Sequence, residues 1–179
     1  MSDRWLAIGF ALALLASAPA AATVTVRVVS PVSEVSVGEI FSIQLRAEAS
    51  QPILGFGLDL GFDGAVLAID APPAIGPLWD PLVAPDGDGL AGLVFPAGLT
   101  GDLLLATLSF EALAPGTTDI VASFTAGDLT EGFPLDPSGF DADVSFVGAP
   151  IQVVPEPAAG LLVAAGLLGL AGYRRAAAT

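Results

Sequence analysis

Residues 39–49 read EIFSIQLRAEA. Phe41, Ile43, Leu45 and Ala47 occupy every second position, with Ser42, Gln44, Arg46 and Glu48 between them. Successive side chains of a strand point to opposite faces, so this period of two predicts a half-buried strand. Residues 55–62, GFGLDLGF, carry the same signal. Phe56, Leu58, Leu60 and Phe62 share one face and read as core; Gly55, Gly57, Asp59 and Gly61 form the other, which reads as small and open. The alternation recurs in 23–29 (TVTVRVV), 103–113 (LLLATLSFEAL) and 118–126 (TDIVASFTA), and ADVSFVG and APIQVV close the series. Gly, Pro, Asp and Ser separate the runs, and no long 3.6-residue period appears. About eight or nine strands at spacings of about ten residues predict an all-β sandwich of antiparallel strands.

The chain has 179 residues, which suggests one domain, and no cysteine, so there are no disulfides and no thiolate chemistry. It also has no His and no Lys. That removes a Ser-His-Asp triad, a Schiff base and a His-based zinc site. A glycosidase needs two carboxylates across a cleft, and in a chain with 19 acids the mere presence of such a pair says nothing. Residues 23–157 hold 18 acids and only Arg27 and Arg46 as bases, a net charge of −16. Such a surface repels phosphate backbones, so nucleic acid is not an expected partner.

The two ends read as targeting segments. Residues 1–22 begin with a short polar stretch containing Arg4, continue with an apolar run over 5–16, and finish in Ala18, Ala20 and Ala22. That order predicts a signal peptide cleaved after Ala20 or Ala22; the apolar run is short for a membrane span. At the other end, residues 158–173 carry no charge. As a helix they would be about 24 Å long, slightly under the hydrocarbon thickness. Being apolar all round, the run predicts a transmembrane helix rather than a core helix. Arg174 and Arg175 follow and would stay on the cytoplasmic side.

Pro155-Glu156-Pro157, an apolar Leu/Ala/Gly helix and a terminal Arg pair, within residues 154–179, resemble the PEP-CTERM sorting signal of Gram-negative bacteria. The resemblance implies an exosortase-type membrane enzyme as a partner, often in species that make exopolysaccharide. It makes Pro155, Glu156 and Pro157 the recognition element, ahead of the membrane helix and the Arg174-Arg175 tail. The two prolines keep that element extended. Four residues, AAAT, follow the arginines and depart slightly from the pattern.

The order of strands and turns in residues 23–153 is similar to that of the cohesin-like domain, a jelly-roll β-sandwich related in fold to carbohydrate-binding modules. The resemblance rests on VSVGEIFSIQLRAE, ILGFGLDLGFDGAVLAI, GDLLLATLSFEALAPGTTDI and VGAPIQV. It implies a binding or structural module, not an enzyme. The Pro/Gly-rich residues 71–89 read as an insertion in that frame.

Three features remain as candidate ligand sites. Trp79, in that insertion, is an aromatic that could stack on a sugar ring, or else plug the edge of the sandwich. Asp86 and Asp88 lie two apart among glycines, as calcium loops begin, though Asp-Gly is also a turn dipeptide. Asp128, Glu131, Asp136, Asp141 and Asp143 crowd into residues 128–143 and could ring a cation or simply be solvated. The expectation is an exported cohesin-like binding or structural module, anchored at the cell envelope as a precursor and at the cell surface or outside the cell when processed, with polysaccharide or another surface protein as its partner; the alternative is carbohydrate recognition and, behind it, hydrolysis.

Overall fold

The computed structural model describes residues 23–82, 89–137, 139, 143–156 and 165–167. Residues 1–22, Asp86, Asp88, Asp141, Pro157, Arg174, Arg175 and most of 158–173 lie outside the described residues. Among the described residues no helix is long and apolar enough to cross a membrane.

Apart from residues 165–167, which are helical, the described chain is built almost entirely of strands. They are β1 (Thr23–Val29), β2 (Glu34–Ser36), β3 (Ile40–Ile53), β4 (Gly55–Gly61), β5 (Leu67–Ile75), β6 (Asp80–Leu82), β7 (Leu90–Leu93), β8 (Leu99–Ala112), β9 (Gly116–Ser123), β10 (Asp143–Val147) and β11 (Ala149–Val154). They form a five-stranded sheet in the order β10-β1-β3-β8-β5 and a six-stranded sheet in the order β2-β11-β9-β4-β7-β6. Most pairings are antiparallel; β10 joins β1 and β2 joins β11 in parallel.

The alternation in EIFSIQLRAEA becomes the in–out pattern of β3. Phe41, Ile43, Leu45 and Ala47 are buried, as are Val24, Val26 and Val28 on β1. From β8, Leu103, Leu105, Leu108 and Phe110 join them, and Ile120, Ala122, Ile151 and Val153 come from the opposing sheet. Phe110 ties the two layers together. Its ring stacks on Phe41 of its own sheet at 5.9 Å and meets Phe62, just beyond β4, edge-on at 5.1 Å. The offset and edge-to-face arrangements are those that aromatic quadrupoles favour.

The turns follow from their residues. Gly38 has φ +81°, a left-handed conformation that favours glycine, and the adjacent Glu39 carboxylate accepts the Ser36 N–H at 3.0 Å. After β4, Asp63 accepts the Ala65 N–H at 2.8 Å, while its own N–H reaches the buried Thr118 hydroxyl at 2.8 Å.

Two expectations need correction. There are more strands than expected, because β2 and β6 have only three residues each and show no periodicity. Residues 71–89 are not simply an insertion, since β5 runs to Ile75 and β6 begins at Asp80. Pro72 and Pro73 are tolerated because β5 is an edge strand with register shifts there, so no ladder needs their missing N–H groups.

Candidate functional site

The sandwich presents two outer faces of different chemistry. On the five-stranded sheet, Thr25 and Arg27 of β1 and Ser42, Gln44, Arg46 and Glu48 of β3 point outward, opposite the buried positions. Arg46 forks onto Asp102 with two bonds of 3.0 Å, and Arg27 reaches Glu48 at 2.8 Å. The Arg46 hydrogen bond holds the Asp102 carboxyl below the usual carboxylate range, and the same bond raises Arg46. Arg27 and Arg46 are the cations among the described residues, and both are committed to this face.

The outer face of the six-stranded sheet is acidic and apolar. Residues directly opposite in an antiparallel ladder share a face. Gly57 therefore faces outward with its partner Ala91, Leu93 with Gly55 and Asp80, Leu82 with Ala91, and Asp59 and Gly61 with Ser123 and Val121. Leu82 is 47% exposed, Leu93 42% and Val121 37%. Asp80 and Asp119 are exposed on the same face.

This face is covered at Gly57, against the expectation that the glycines of β4 lie open. Residues 125–135, here termed the strap, run back across β4. Gly57 and Gly132 exchange backbone hydrogen bonds at 3.0 and 2.8 Å, and the Leu54 N–H donates to the Pro134 carbonyl at 2.7 Å. A Cβ at Gly57 would lie 2.3 Å from the Thr130 carbonyl oxygen, so only glycine admits the strap. Gly132 adopts φ +130°, which side chains rarely accept. Phe133 is fully buried and packs against Phe124 at 6.2 Å, anchoring the strap at one end.

The other end is held by carboxylates. Thr125 donates its hydroxyl to Asp59 Oδ2 at 2.6 Å and its N–H to Glu131 Oε2. Asp128 Oδ1 accepts the N–H and the hydroxyl of Thr130, both at 2.7 Å. Asp59 Oδ1 and Glu131 Oε1 are buried and have no hydrogen-bond partner. Burial pushes the Glu131 carboxyl above the usual range; the Thr125 N–H opposes this, and Asp59 and Asp128 add to it.

The predicted ligand sites separate. Trp79 is not an exposed platform. It is 4% exposed, its Nε1–H donates to the Leu104 carbonyl at 2.9 Å, and its ring meets Phe56 edge-on at 5.2 Å. The indole thus plugs the edge between the sheets. Asp136 caps the Gly98 N–H at 3.3 Å and Asp143 opens β10, so these acids have separate tasks. Among the described residues no group of three or more His, Cys, Asp or Glu is placed to hold a metal ion. Pro155 and Glu156 are exposed and follow β11 without a spacer, after the Val154 carbonyl accepts the Val37 N–H at 3.0 Å.

The strap is the feature that sequence reasoning missed. Its only signal is a pair of glycines, Gly57 and Gly132, far apart in the chain.

No protein-family model matches the chain, and no curated protein matches it. Solved structures do. A cohesin module from a Clostridium perfringens family 33 glycoside hydrolase matches at TM-score 0.58 and 10% identity, covering 76% of this chain and 98% of that one. A non-cellulosomal cohesin from the archaeon Archaeoglobus fulgidus matches at TM-score 0.57 and 16% identity, covering 77% and 96%. A type I cohesin–dockerin complex from Clostridium thermocellum matches at TM-score 0.53 and 12% identity, covering 74% and 99%. At these identities the likeness establishes the fold, a cohesin-like β-sandwich.

Proposed function

We propose that this chain is an exported, non-enzymatic binding module that docks a protein partner on the outer face of its six-stranded sheet. The observation that carries the reading is the segregation of charge. Leu82, Leu93 and Val121 sit among Asp59, Asp80 and Asp119, while Arg27 and Arg46 are tied down on the opposite face. A partner that fits offers an apolar contact ringed by Lys or Arg, since complementary potentials steer encounter and fix register. A cohesin of the same fold is found in complex with a dockerin, which supports protein docking by analogy of fold.

Delivery rests on the ends of the chain. The exposed Pro155 and Glu156, directly after the last strand, support a PEP-CTERM handle read by an exosortase-type enzyme, which places the module at the cell envelope or surface. Carbohydrate recognition through Trp79 has no support from its geometry, because a buried indole offers no face to a sugar.

The test is capture by the immobilised full chain of a partner from the producing cell's envelope fraction. Leu93→Arg together with Val121→Arg should weaken capture by about tenfold or more, equivalent to about 1.4 kcal/mol. Ser42→Arg, on the opposite face, should leave capture unchanged. Equal losses from both faces, or no loss from either, would sink the reading.

A further inference from the structure

Two carboxyl groups meet at the turn of the strap. Asp59 projects from β4, and Glu131 lies in the strap just before the bridging Gly132. Each has one oxygen satisfied by Thr125, through its hydroxyl and its N–H respectively. Each has one further oxygen, Oδ1 and Oε1, that is buried without a partner. If both groups were ionised, two like charges would face one another with two unsatisfied acceptors out of water. Buried polar atoms are rarely left so, because each orphan costs its desolvation. One proton resolves both defects: the protonated carboxyl donates an O–H to its neighbour's free oxygen. Burial, with the neighbouring Asp59 and Asp128 adding to it, raises the proton affinity of Glu131 in the same direction.

Among the described residues the surroundings offer no positive group. Asp128 is the second titratable group acting on Glu131, after Asp59, and it is also an acid. Arg27 and Arg46 lie on the outer face of the other sheet. Thr125 and Thr130, which complete the local hydrogen bonding, do not titrate in the relevant range.

We propose that Asp59 and Glu131 share a single proton that latches the turn of the strap, residues 125–132, over Gly57, and that loss of this proton with rising pH lifts the turn. The proton comes from and returns to solvent. Phe133 stays buried, so the strap remains attached at its far end while the turn opens. Lifting uncovers the Gly57 part of the face. Its meaning as a gate on docking rests on the proposed function; the latch itself does not.

The sign is fixed by linkage. A group whose proton is held more tightly in the closed form stabilises that form below its ordinary pKa, about 4.3 for Glu, and ceases to do so above its raised value. The test is amide hydrogen exchange of the full chain at Gly57 and Gly132, corrected for intrinsic rates, at about pH 4.5 and about pH 8. Protection at these two amides should fall about tenfold for each unit by which the Glu131 pKa is raised in the closed form. Protection of Val26 and Leu45 in the other sheet should hold, which shows that the fold is intact. Asp59→Asn and Glu131→Gln each supply an amide N–H in place of the shared proton and should make protection at Gly57 pH-independent. A pH-independent wild type, or a variant with undiminished pH dependence, overturns the latch. So does calcium chloride at about 5 mM restoring protection at the higher pH, because the pair would then be a cation site. Failure of the Leu93 and Val121 substitutions to affect capture would remove the docking face and leave the exchange result standing.

Discussion

On the five-stranded sheet the outward positions include Thr25, Arg27, Ser42, Gln44, Arg46, Glu48 and Asp102 beside the apolar Val29 and Ile40; on the six-stranded sheet they include Leu82, Leu93, Gly57, Asp59 and Val121. Both sheets obey the same alternation, and both bury the same kinds of side chain inward. The fold constrains the inner positions and leaves the outer ones free. One face spends that freedom on closed ion pairs, and the other on a flat, small-residue surface partly roofed by the strap. The two faces also answer acid in opposite directions. Protonation breaks the Arg46–Asp102 fork, whereas in the proposed latch it fastens Glu131 to Asp59.

The largest effect should come from removing what the faces share. Trp79 bonds β8 of one sheet through the Leu104 carbonyl and packs on Phe56 of the other. Trp79→Ala should cost about 3–5 kcal/mol in urea unfolding, through a cavity and an orphaned carbonyl. A cost near zero would mean that the sheets do not need this clamp. Next comes Gly57→Val, which drives a side chain into the Thr130 carbonyl. It should cost about 1–3 kcal/mol and render the strap cleavable by protease, while Ser42→Val on the opposite face stays within about 0.5 kcal/mol. If both substitutions behaved alike, the strap would not be seated on Gly57.

The smallest effect concerns the polar face. The folded Asp102 holds its proton less tightly than the unfolded chain does. Its contribution is therefore present above the ordinary Asp value, about 3.9, and is lost as pH falls through the lower folded value. Thermal midpoints of Asp102→Asn between about pH 2 and pH 5 should show a shallower acid limb than wild type, and the difference should shrink in high salt. An unchanged limb would show that the fork contributes nothing measurable.

These contrasts explain what could be read from the sequence. The strands of 39–49 and 55–62 were legible because Phe41, Ile43, Leu45, Phe56 and Leu58 repeat with period two and are buried in that order. Their outer residues were legible as outer, but not as covered. Gly57 looked open because the strap that roofs it pairs through backbone atoms, which leave no pattern in side chains. Trp79 stands in a stretch without periodicity, so its direction depended on β5 and β6, strands marked by proline rather than by alternation. Glu131 stood out only as one acid in a crowded run. What distinguishes it is Asp59 across the sheet, a neighbour that only the tertiary fold supplies.

The edges of the sandwich have a consequence for solutions crowded with this molecule. β2 and β6 are three residues long, β6 carries Pro81, and β5 carries Pro72 and Pro73. A long, regular, unpaired edge invites another copy to add its own strand, and repetition of that step yields fibrils. Here three of the four flanks are clipped short or lack N–H groups for such growth. For a chain with 54% hydrophobic residues and no disulfide, these blunt flanks disfavour strand addition between copies at high concentration.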